Sequence, residues 1–277
     1  MRIAFRKMHG IGNDFVVIDQ RRDPVPVDAA GARALADRHT GIGCDQLLLL
    51  EAPRDRRAQV FMRILNPDGS EAEACGNGTR CVAQLIAAET GRREVAIETA
   101  AGLLDATVGE GGIATVDMGR PLFFWADIPL SRDMDTLHVH LHRGALSDPV
   151  CTNMGNPHAT FFVDDVDAID LATLGPQLEH DALFPERANI GVAAVRDPRT
   201  IRLRVWERGA GITLACGSGA CAALVAAHRR GLTEARATVM LDGGNLEIAW
   251  PDHGHVLMKG PATLSFEGTL DAALLAG

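Results

Sequence analysis

Two copies of a short cysteine motif, half a chain apart, constrain the fold of this 277-residue sequence more than any other feature. The first copy, ACGNGTRC, begins at Ala74, and the second, ACGSGAC, begins at Ala215. The cysteines near their starts, Cys75 and Cys216, are 216 − 75 = 141 residues apart, and the upstream segments RILN and RVWE keep this offset. An offset of about half the chain favours a duplicated domain over a solenoid, whose repeats recur roughly every 20 to 50 residues.

Further upstream the two halves still correspond, at offsets that drift in the way that loop insertions produce. Gly12-Asn13 aligns with Gly155-Asn156 at an offset of 155 − 12 = 143. Gly41-Ile42-Gly43 aligns with Asn189-Ile190-Gly191 at an offset of 189 − 41 = 148. The sequence therefore predicts two homologous halves.

The length of the chain also favours two domains, because it exceeds what one ordinary domain needs. We place the boundary in the proline-bounded segment 119–129. The predicted first domain is residues 1–119, completed by residues 264–277 at the C-terminus. The predicted second domain is residues 120–263.

Short alternating and β-branched stretches predict strands around a few helices. Helices are predicted at 77–90 and 218–230, each followed by a glycine, with a shorter helix after Asp28. Glycine-rich turns predict hairpins and much antiparallel pairing, and hence a mixed α/β (α+β) fold. The predicted strands are 2–8, 15–19, 46–50, 60–65, 94–99, 103–108 and 113–118 in the first half, and 137–141, 159–163, 191–195, 201–206, 238–241, 246–249 and 256–258 in the second.

The charge balance and the apolar pattern argue against several classes of partner. A net charge of −9 disfavours binding to nucleic acid or to an anionic membrane surface. Charged residues interrupt the N-terminal segment before any signal-type apolar stretch, and no run of about 18 apolar residues occurs. We therefore expect a cytoplasmic protein with neither nucleic acid nor membrane as partner.

The use of cysteine and lysine limits the chemistry. Six cysteines in a chain without an export signal are expected to be free thiols. Lys7 and Lys259 are the only lysines, and neither lies in a phosphate-binding loop, so a Schiff base with pyridoxal phosphate is not expected. We predict no cofactor, and no metal because the motif cysteines lack the close-paired spacing of zinc sites.

The motif itself predicts acid–base chemistry. A thiol just before glycines that begin a helix meets unpaired backbone N–H groups and the positive end of the helix dipole, and both favour the thiolate. Two such thiols, one deprotonated and one protonated, form a matched base and acid. On opposite sides of one bound carbon, they would remove a proton from one face and return one to the other.

Four sequence blocks stand in order along the chain: MHGIGNDF from Met8, DGSE running into CGNG from Asp68, NMGNPHA from Asn153, and ERGAG running into ACG from Glu207. Together they resemble the signature blocks of the diaminopimelate epimerase family over nearly the whole chain. The resemblance implies two pseudo-symmetric domains, each a mostly antiparallel barrel-like sheet around a central helix, with the active site in the cleft between them. It also implies a homodimeric enzyme that interconverts LL- and meso-2,6-diaminopimelate without a cofactor, a step toward lysine and peptidoglycan precursors.

By the same resemblance, four side chains are expected to be catalytic. Cys75 and Cys216 are the two acid–base thiols. His158 is expected beside Cys75, and Glu207 beside Cys216, as proton-accepting or orienting partners of the thiols.

The resemblance also implies the substrate contacts. Backbone N–H groups of Gly76-Asn77 and Gly217-Ser218 are expected to hold the reacting α-carboxylate and to stabilise the charge that develops on it. The residues expected to bind the distal amino and carboxylate groups of the substrate are Asn13, Gln46, Asn66, Asn156, Asn189, Glu207 and Arg208. The chain departs from the family pattern at Cys44, Ser218 and Ile212.

Other functions remain open at this point. A proline or hydroxyproline racemase of the same fold also uses two thiols but has no site for a distal amino-acid group. A phenazine-biosynthesis-type isomerase shares the architecture without the cysteine pair. A non-catalytic amino-acid-binding protein is the alternative from another class, and the presence of both cysteines with His158 and Glu207 speaks against it.

Several residues with reactive side chains have plainer interpretations. Cys81 and Cys221, further along the two helices, are expected to be buried core residues. His138, His140 and His142 alternate with apolar residues and are expected on the solvent face of a strand. Asn66 precedes a Pro-Asp-Gly turn and could be a turn former.

Overall fold

The computed structural model describes residues 2–275. The chain forms two compact units. The first unit comprises the residues up to Val116 together with those from Gly260 onwards. The second unit comprises Asp117–Lys259. These boundaries fall 119 − 116 = 3 and 263 − 259 = 4 residues before the ones placed from the sequence.

Each half of the chain forms a mostly antiparallel sheet with two helices, which confirms the predicted mixed α/β class. The first half contains β1 (Arg2–Gly10), β2 (Asn13–Asp19), α1 (Ala29–Ala36), β3 (Gln46–Glu51), β4 (Val60–Leu65), β5 (Glu71–Ala72), α2 (Gly76–Thr90), β6 (Glu94–Thr99), β7 (Gly102–Val108) and β8 (Ile113–Asp117). The second half contains β9 (His142–Arg143), β10 (Leu146–Ser147), β11 (Val150–Asn153), β12 (Pro157–Phe162), α3 (Leu171–Glu179), β13 (Asn189–Asp197), β14 (Thr200–Glu207), β15 (Gly211–Ile212), α4 (Gly217–Arg229), β16 (Arg236–Leu241), β17 (Gly244–Ala249), β18 (Leu257–Pro261) and β19 (Thr263–Asp271).

The two halves repeat one pattern of strand pairing. In the first, β1–β2 is antiparallel, β2–β3 parallel, β3–β4 and β4–β5 antiparallel, β4–β6 parallel, and β6–β7 and β7–β8 antiparallel. The strands from β11 to β18 follow the same series. Each parallel pair requires a crossover, and α1, α2, α3 and α4 lie in these four crossovers. The predicted duplication is therefore present in the topology.

The strand registers correct one of the sequence alignments between the halves. Phe15 pairs with Gln46 across β2–β3, and His158 pairs with Asn189 across β12–β13. The counterpart of Asn189 is therefore Gln46, at 189 − 46 = 143, rather than Gly41 at 148. The glycine spacing was misleading because Gly41 lies in the loop before β3.

The predicted strand at 137–141 is wrong. Val139 and Leu141 are buried and the histidines beside them are exposed, so the solvent exposure predicted for the histidines is confirmed. Within residues 2–275, however, this segment joins no strand ladder, and a two-residue strand begins only at His142. The backbone instead turns locally, since the N–H of Leu141 donates to the carbonyl of Val139 at 2.8 Å.

The longest elements missed from the sequence are α3 and β19; strand β11 and the two-residue strands β5, β9, β10 and β15 were missed as well. Gly175 and Pro176 lie inside α3, and both disfavour helix in isolation. Strand β19 is exposed over most of its length and pairs with β1, so Arg2 faces Asp271. Both elements depend on contacts between residues that are distant in sequence.

Each unit has its own core, and the helix that carries the cysteine motif is largely buried in it. Helix α4 contacts β11, β12, β13, β14, β16 and β17, and its alanine-rich sequence suits a helix with strands on several sides. Cys81 and Cys221 are fully buried, as predicted, and none of the six cysteines is in a disulfide in the described part of the chain. Among the described residues, no helix is long and apolar enough to cross a membrane.

Candidate active site

Cys75 is the N-cap residue of α2. Its thiol accepts a hydrogen bond from the backbone N–H of Gly78 at 3.4 Å, and its backbone is extended (φ −146°, ψ 104°), as an N-cap requires. Its carbonyl accepts hydrogen bonds from the N–H and the hydroxyl of Thr79, at 2.8 and 2.9 Å. The half-buried thiol therefore lies at the positive end of the helix dipole.

Cys216 repeats this arrangement at the start of α4. The N–H of Gly219 donates to its Sγ at 3.4 Å, and the hydroxyl oxygen of Ser218 lies 3.7 Å from the same sulfur. A Cβ at Gly219 would lie 3.1 Å from both the Cys216 sulfur and Val205, closer than ordinary van der Waals contact. Glycine at this position therefore lets the thiol cap the helix.

The surroundings of Cys216 raise the pKa of its thiol well above the usual value of 9.0. Burial is the largest cause, since the residue is 3% exposed, and the charge of Glu207 raises the pKa further. The hydrogen bonds from Gly219 and Ser218 act in the opposite direction and do not offset burial. The helix start does favour the thiolate at Cys216, but burial outweighs it, and the raised pKa suits the protonated member of the predicted pair.

In the first unit, Asn13 and Asn77 are joined by a hydrogen bond. Asn77 Nδ2 donates to Asn13 Oδ1 at 3.1 Å, and Asn13 Nδ2 donates to Asp45 Oδ2 at 2.9 Å. Because a carboxylate oxygen only accepts hydrogen bonds, Asp45 determines which end of the Asn13 amide faces Asn77.

A cluster of charged side chains supports Asn13 and was missed from the sequence. Asp14 accepts hydrogen bonds from Lys7 and, at 2.7 Å, from Arg38, which also donates to Asp45 at 2.7 Å. Burial alone would raise the pKa of the Asp14 carboxyl, but the hydrogen bonds and charges of Arg38 and Lys7 hold it at about 2. The sequence block MHGIGNDF contains Asp14, but its cationic partners, Lys7 and Arg38, lie outside that block.

Gln46 and Asn66 form a second pair in this unit. Gln46 Nε2 donates to Asn66 Oδ1 at 2.9 Å, and Asn66 Nδ2 donates to the Ser70 hydroxyl at 3.0 Å. The carbonyl of Asn66 also accepts from the N–H of Gly69, whose φ of +86° favours glycine. Asn66 is therefore a turn former, as the plainer interpretation held, and its side chain also contacts Gln46.

In the second unit, His158 connects β12 to the start of α4. Its Nε2 lies 2.8 Å from Asn156 Oδ1 and 3.1 Å from the Ser218 hydroxyl oxygen. Burial, and to a lesser extent the charge of Arg208, lowers the pKa of His158 to about 3, so the imidazole is neutral at physiological pH. The expected position of His158 beside Cys75 stays a prediction.

Glu207, Arg208 and Asn189 lie together at the end of β14. The N–H of Arg208 donates to Asn189 Oδ1 at 3.0 Å. The carboxylate of Glu207 accepts from the hydroxyl of Thr213 and forms a hydrogen bond with the Cys216 thiol. Glu207 is therefore beside Cys216, and Thr213 is a contact that the sequence analysis missed.

The predicted site residues thus form one group in each unit, related by the duplication. The first group comprises Asn13, Gln46, Asn66, Cys75, Gly76 and Asn77, and the second comprises Asn156, His158, Asn189, Glu207, Arg208, Cys216, Gly217 and Ser218. Six positions correspond at the offsets of 143 and 141: Asn13 with Asn156, Gln46 with Asn189, Asn66 with Glu207, Cys75 with Cys216, Gly76 with Gly217, and Asn77 with Ser218.

Both lysines of the chain are paired with carboxylates. Lys7 donates to Asp14 and to the carbonyl of Gly43, and Lys259 pairs with Glu247 at 3.1 Å. In the part of the chain that the structure describes, no three His, Cys, Asp or Glu side chains are arranged to hold a metal ion.

Comparisons with known sequences identify close relatives. The family model for diaminopimelate epimerase matches residues 5–124 and 150–265. A diaminopimelate epimerase of Rhodospirillum centenum is 62% identical over 273 residues, which cover 99% of this chain and 94% of the relative. One of Acidiphilium cryptum is 60% identical over 272 residues, which cover 98% of each chain.

Comparisons with solved structures identify the fold. A probable proline racemase from Agrobacterium radiobacter matches with a TM-score of 0.72 at 16% identity, over 97% of this chain and 93% of that one. A hydroxyproline epimerase from Agrobacterium vitis matches with a TM-score of 0.71 at 15% identity, over 97% and 92%. At these identities the similarity shows the fold alone, and it is the fold that the sequence predicted.

Proposed function

Because the chain belongs to the diaminopimelate epimerase family, we propose that it interconverts LL- and meso-2,6-diaminopimelate with Cys75 and Cys216 as acid and base. The enzyme is an isomerase of lysine biosynthesis. The two-thiol assignment rests on one observation above all, the repeated N-capping thiol in two duplicated units. Two such groups suit inversion at a carbon, since the proton leaves from one face and another arrives at the opposite face.

The protonated state of Cys216 supports a proton-donor role for this thiol in the free enzyme. In the reaction direction in which Cys216 is the donor, Cys75 as thiolate takes the α-proton. Cys216 then delivers its own proton to the opposite face of the carbanion. The first thiol ends protonated and the second ends as thiolate, so protons and charge balance. In the reverse direction the two roles exchange.

The carbanion must be stabilised by the protein itself in this mechanism. The α-proton of an amino acid is far less acidic than a thiol, so dipoles arranged in advance have to lower the barrier. The first N–H groups of a helix lack intrahelical partners. We assign those of Gly76-Asn77 and Gly217-Ser218 to the α-carboxylate, where they stabilise the developing negative charge.

The remaining polar residues would bind the distal amino-acid end of the substrate. Arg208 suits a carboxylate because its guanidinium presents two parallel donors. A substrate without this second end would leave such groups without partners, which disfavours proline-type substrates. We assign distal binding to Asn13, Gln46, Asn66, Asn156, Asn189, Glu207 and Arg208.

We further propose that the reaction needs no cofactor and that the enzyme is a cytoplasmic homodimer. The ion pairs of both lysines support the first point, because a lysine bound to a carboxylate is a poor candidate for a Schiff base. The six cysteines, none of which is in a disulfide within residues 2–275, suit the reducing cytoplasm. The homodimer rests on family membership.

Incubation with LL-diaminopimelate in D2O is expected to place deuterium in the meso product early in the reaction, while recovered substrate stays largely protiated. The reason is that the thiol which delivers the proton has already exchanged with solvent, whereas the other holds the substrate's proton. Proton NMR of both epimers measures the label, and L-proline serves as a control substrate that should not exchange. Equal early labelling of both epimers would indicate a single shared base and contradict the proposal.

Glu207→Gln is expected to lower kcat/KM by less than about 10², the lower end of the loss for a positioned acid or base. Glutamine keeps the size and one acceptor but removes the charge that raises the pKa of the Cys216 thiol. The control is Glu234→Gln, the same change at an exposed residue that pairs with Arg199 at 2.7 Å. Steady-state kinetics of both variants measure the effect, and a loss as large as that of a cysteine would make Glu207 an equal partner in proton transfer.

A further inference from the structure

Glu179, the last residue of α3, is a buried carboxylate that the proposed mechanism does not use. It is 3% exposed, and ionisable side chains are rarely buried unless they are paired. The indole Nε1–H of Trp206 donates to Glu179 Oε2 at 2.7 Å, and the backbone N–H of Gly209 donates to Oε1 at 3.0 Å. The guanidinium of Arg187 lies 3.8 Å from Oε1.

The two hydrogen-bond donors flank the residues assigned to the site. Trp206 directly precedes Glu207, and Gly209 directly follows Arg208. Between them the chain turns tightly from β14 to β15, with the N–H of Ala210 donating to the carbonyl of Glu207 at 3.1 Å. One carboxylate thus holds this turn at both of its ends.

The position of Trp206 against α3 is also restricted by packing. A Cβ at Gly175 would lie 2.5 Å from a carbon of the indole ring, so α3 approaches the ring where its backbone carries no side chain. The ring and its N–H are therefore held in place against the helix that carries Glu179.

The corresponding turn of the first unit is held differently. After β4, the N–H of Asn66 donates to the carbonyl of Ser70 at 2.8 Å, and its side chain donates to the Ser70 hydroxyl at 3.0 Å. That turn is closed by its own residues and by Arg33 of α1, which donates to the carbonyl of Asp68 at 2.9 Å. The turn that carries Glu207 is instead held by a buried carboxylate of α3, 207 − 179 = 28 residues earlier in the chain.

We propose that Glu179 is a positioning residue for epimerisation, which holds the turn that places the Glu207 carboxylate beside the Cys216 thiol. This inference rests on the proposed function. An ionised carboxylate only accepts hydrogen bonds and so suits both N–H donors. Glutamine at this position would turn an NH2 group toward one of them and release one end of the turn.

The decisive experiment is a double-mutant cycle of Glu179→Gln with Glu207→Gln. In the wild-type background, Glu179→Gln is expected to lower kcat/KM by about 10-fold, within the range of coupling between residues of one network. In the Glu207→Gln background it should lower kcat/KM by less than about twofold, because Glu179 acts through Glu207. Losses that multiply in the double variant would overturn the proposal and leave Glu179 as a purely structural residue.

A second readout does not depend on epimerase activity. Iodoacetamide should alkylate Cys216 faster in Glu179→Gln, by about threefold or more. Release of the turn exposes the thiol and moves away the carboxylate of Glu207, whose charge raises the pKa of this thiol. Cys75, in the other unit, is the internal reference and should react at the wild-type rate. Mass spectrometry of both cysteines measures the two rates, and an unchanged Cys216 rate would also overturn the proposal.

Controls separate this inference from the proposed function and from misfolding. Glu234→Gln, an exposed carboxylate, should change neither kinetics nor alkylation. Trp206→Phe removes one donor while keeping a ring against Gly175, and it should reproduce the faster alkylation of Cys216 if Glu179→Gln does not fold. A wild-type enzyme inactive on diaminopimelate would refute the proposed function, whereas the alkylation rates would still decide the role of Glu179.

Discussion

Alanine at Cys75 or at Cys216 is expected to lower kcat for diaminopimelate epimerisation by about 10² to 10⁴ or more, the range for loss of a positioned acid or base. In the proposed mechanism each thiol transfers the proton at one face of the α-carbon, so neither can substitute for the other. The double variant should be little worse than either single variant, because the two thiols act as a unit. Coupled assays of LL- to meso-diaminopimelate conversion measure all three enzymes.

Cys81→Ala and Cys221→Ala are matched controls for this prediction. They make the same change in the same two motifs, but at fully buried thiols inside the helices. Burial raises the pKa of Cys81 to about 12, and this thiol lies inside α2 rather than at the helix start, where the proposed mechanism places the substrate carboxylate. Both controls should keep most of the activity, and near-wild-type epimerisation by either Cys75→Ala or Cys216→Ala would make the two-thiol mechanism untenable.

Leu48→Ala is expected to destabilise the protein by about 2 to 5 kcal/mol, the cost of a large cavity in a close-packed core. Leu48 is fully buried in β3, where it pairs with Val17 on one side and Ile64 on the other. A Cβ at Gly78 would lie 3.2 Å from its methyl groups, so the side chain also packs under the first turn of α2. Urea unfolding, followed by circular dichroism, measures the free energy of unfolding.

The control for the cavity is Leu264→Ala on β19, where the leucine is 43% exposed. Because a surface substitution leaves no enclosed cavity, its effect should stay within about 0.5 kcal/mol. Equal losses for the two variants would show that Leu48 does not lie in a close-packed core.

The elements that the sequence predicted well are those whose own residues specify them. Strands β4 and β6 were predicted residue for residue, and α2 begins one residue before its predicted start at Asn77. An N-capping thiol, a following glycine at φ +71° and alternating apolar residues are all local features. They can be recognised without knowing what packs against the element.

The elements that were missed depend on distant partners. Helix α3 contains Gly175 and Pro176 and packs on β14, and β19 is held by its ladder to β1 at the other end of the chain. The segment 137–141 shows the converse. Its burial alternates, and Val139 and Leu141 form backbone hydrogen bonds with Pro149 and Asp148, but these bonds do not make a regular strand ladder. Periodicity reports which side chains face the core, but a ladder also requires regular pairing with a neighbouring strand.

The sequence by itself determined the duplication, the family and the two helix-capping thiols, because each is written in contiguous motifs. Only the tertiary structure decided the state of those groups. Burial and Glu207 raise the pKa of the Cys216 thiol against the helix dipole, and Lys7 and Arg38 keep Asp14 ionised. A pKa and the orientation of a side chain depend on burial and on charges from distant segments, so no motif specifies them.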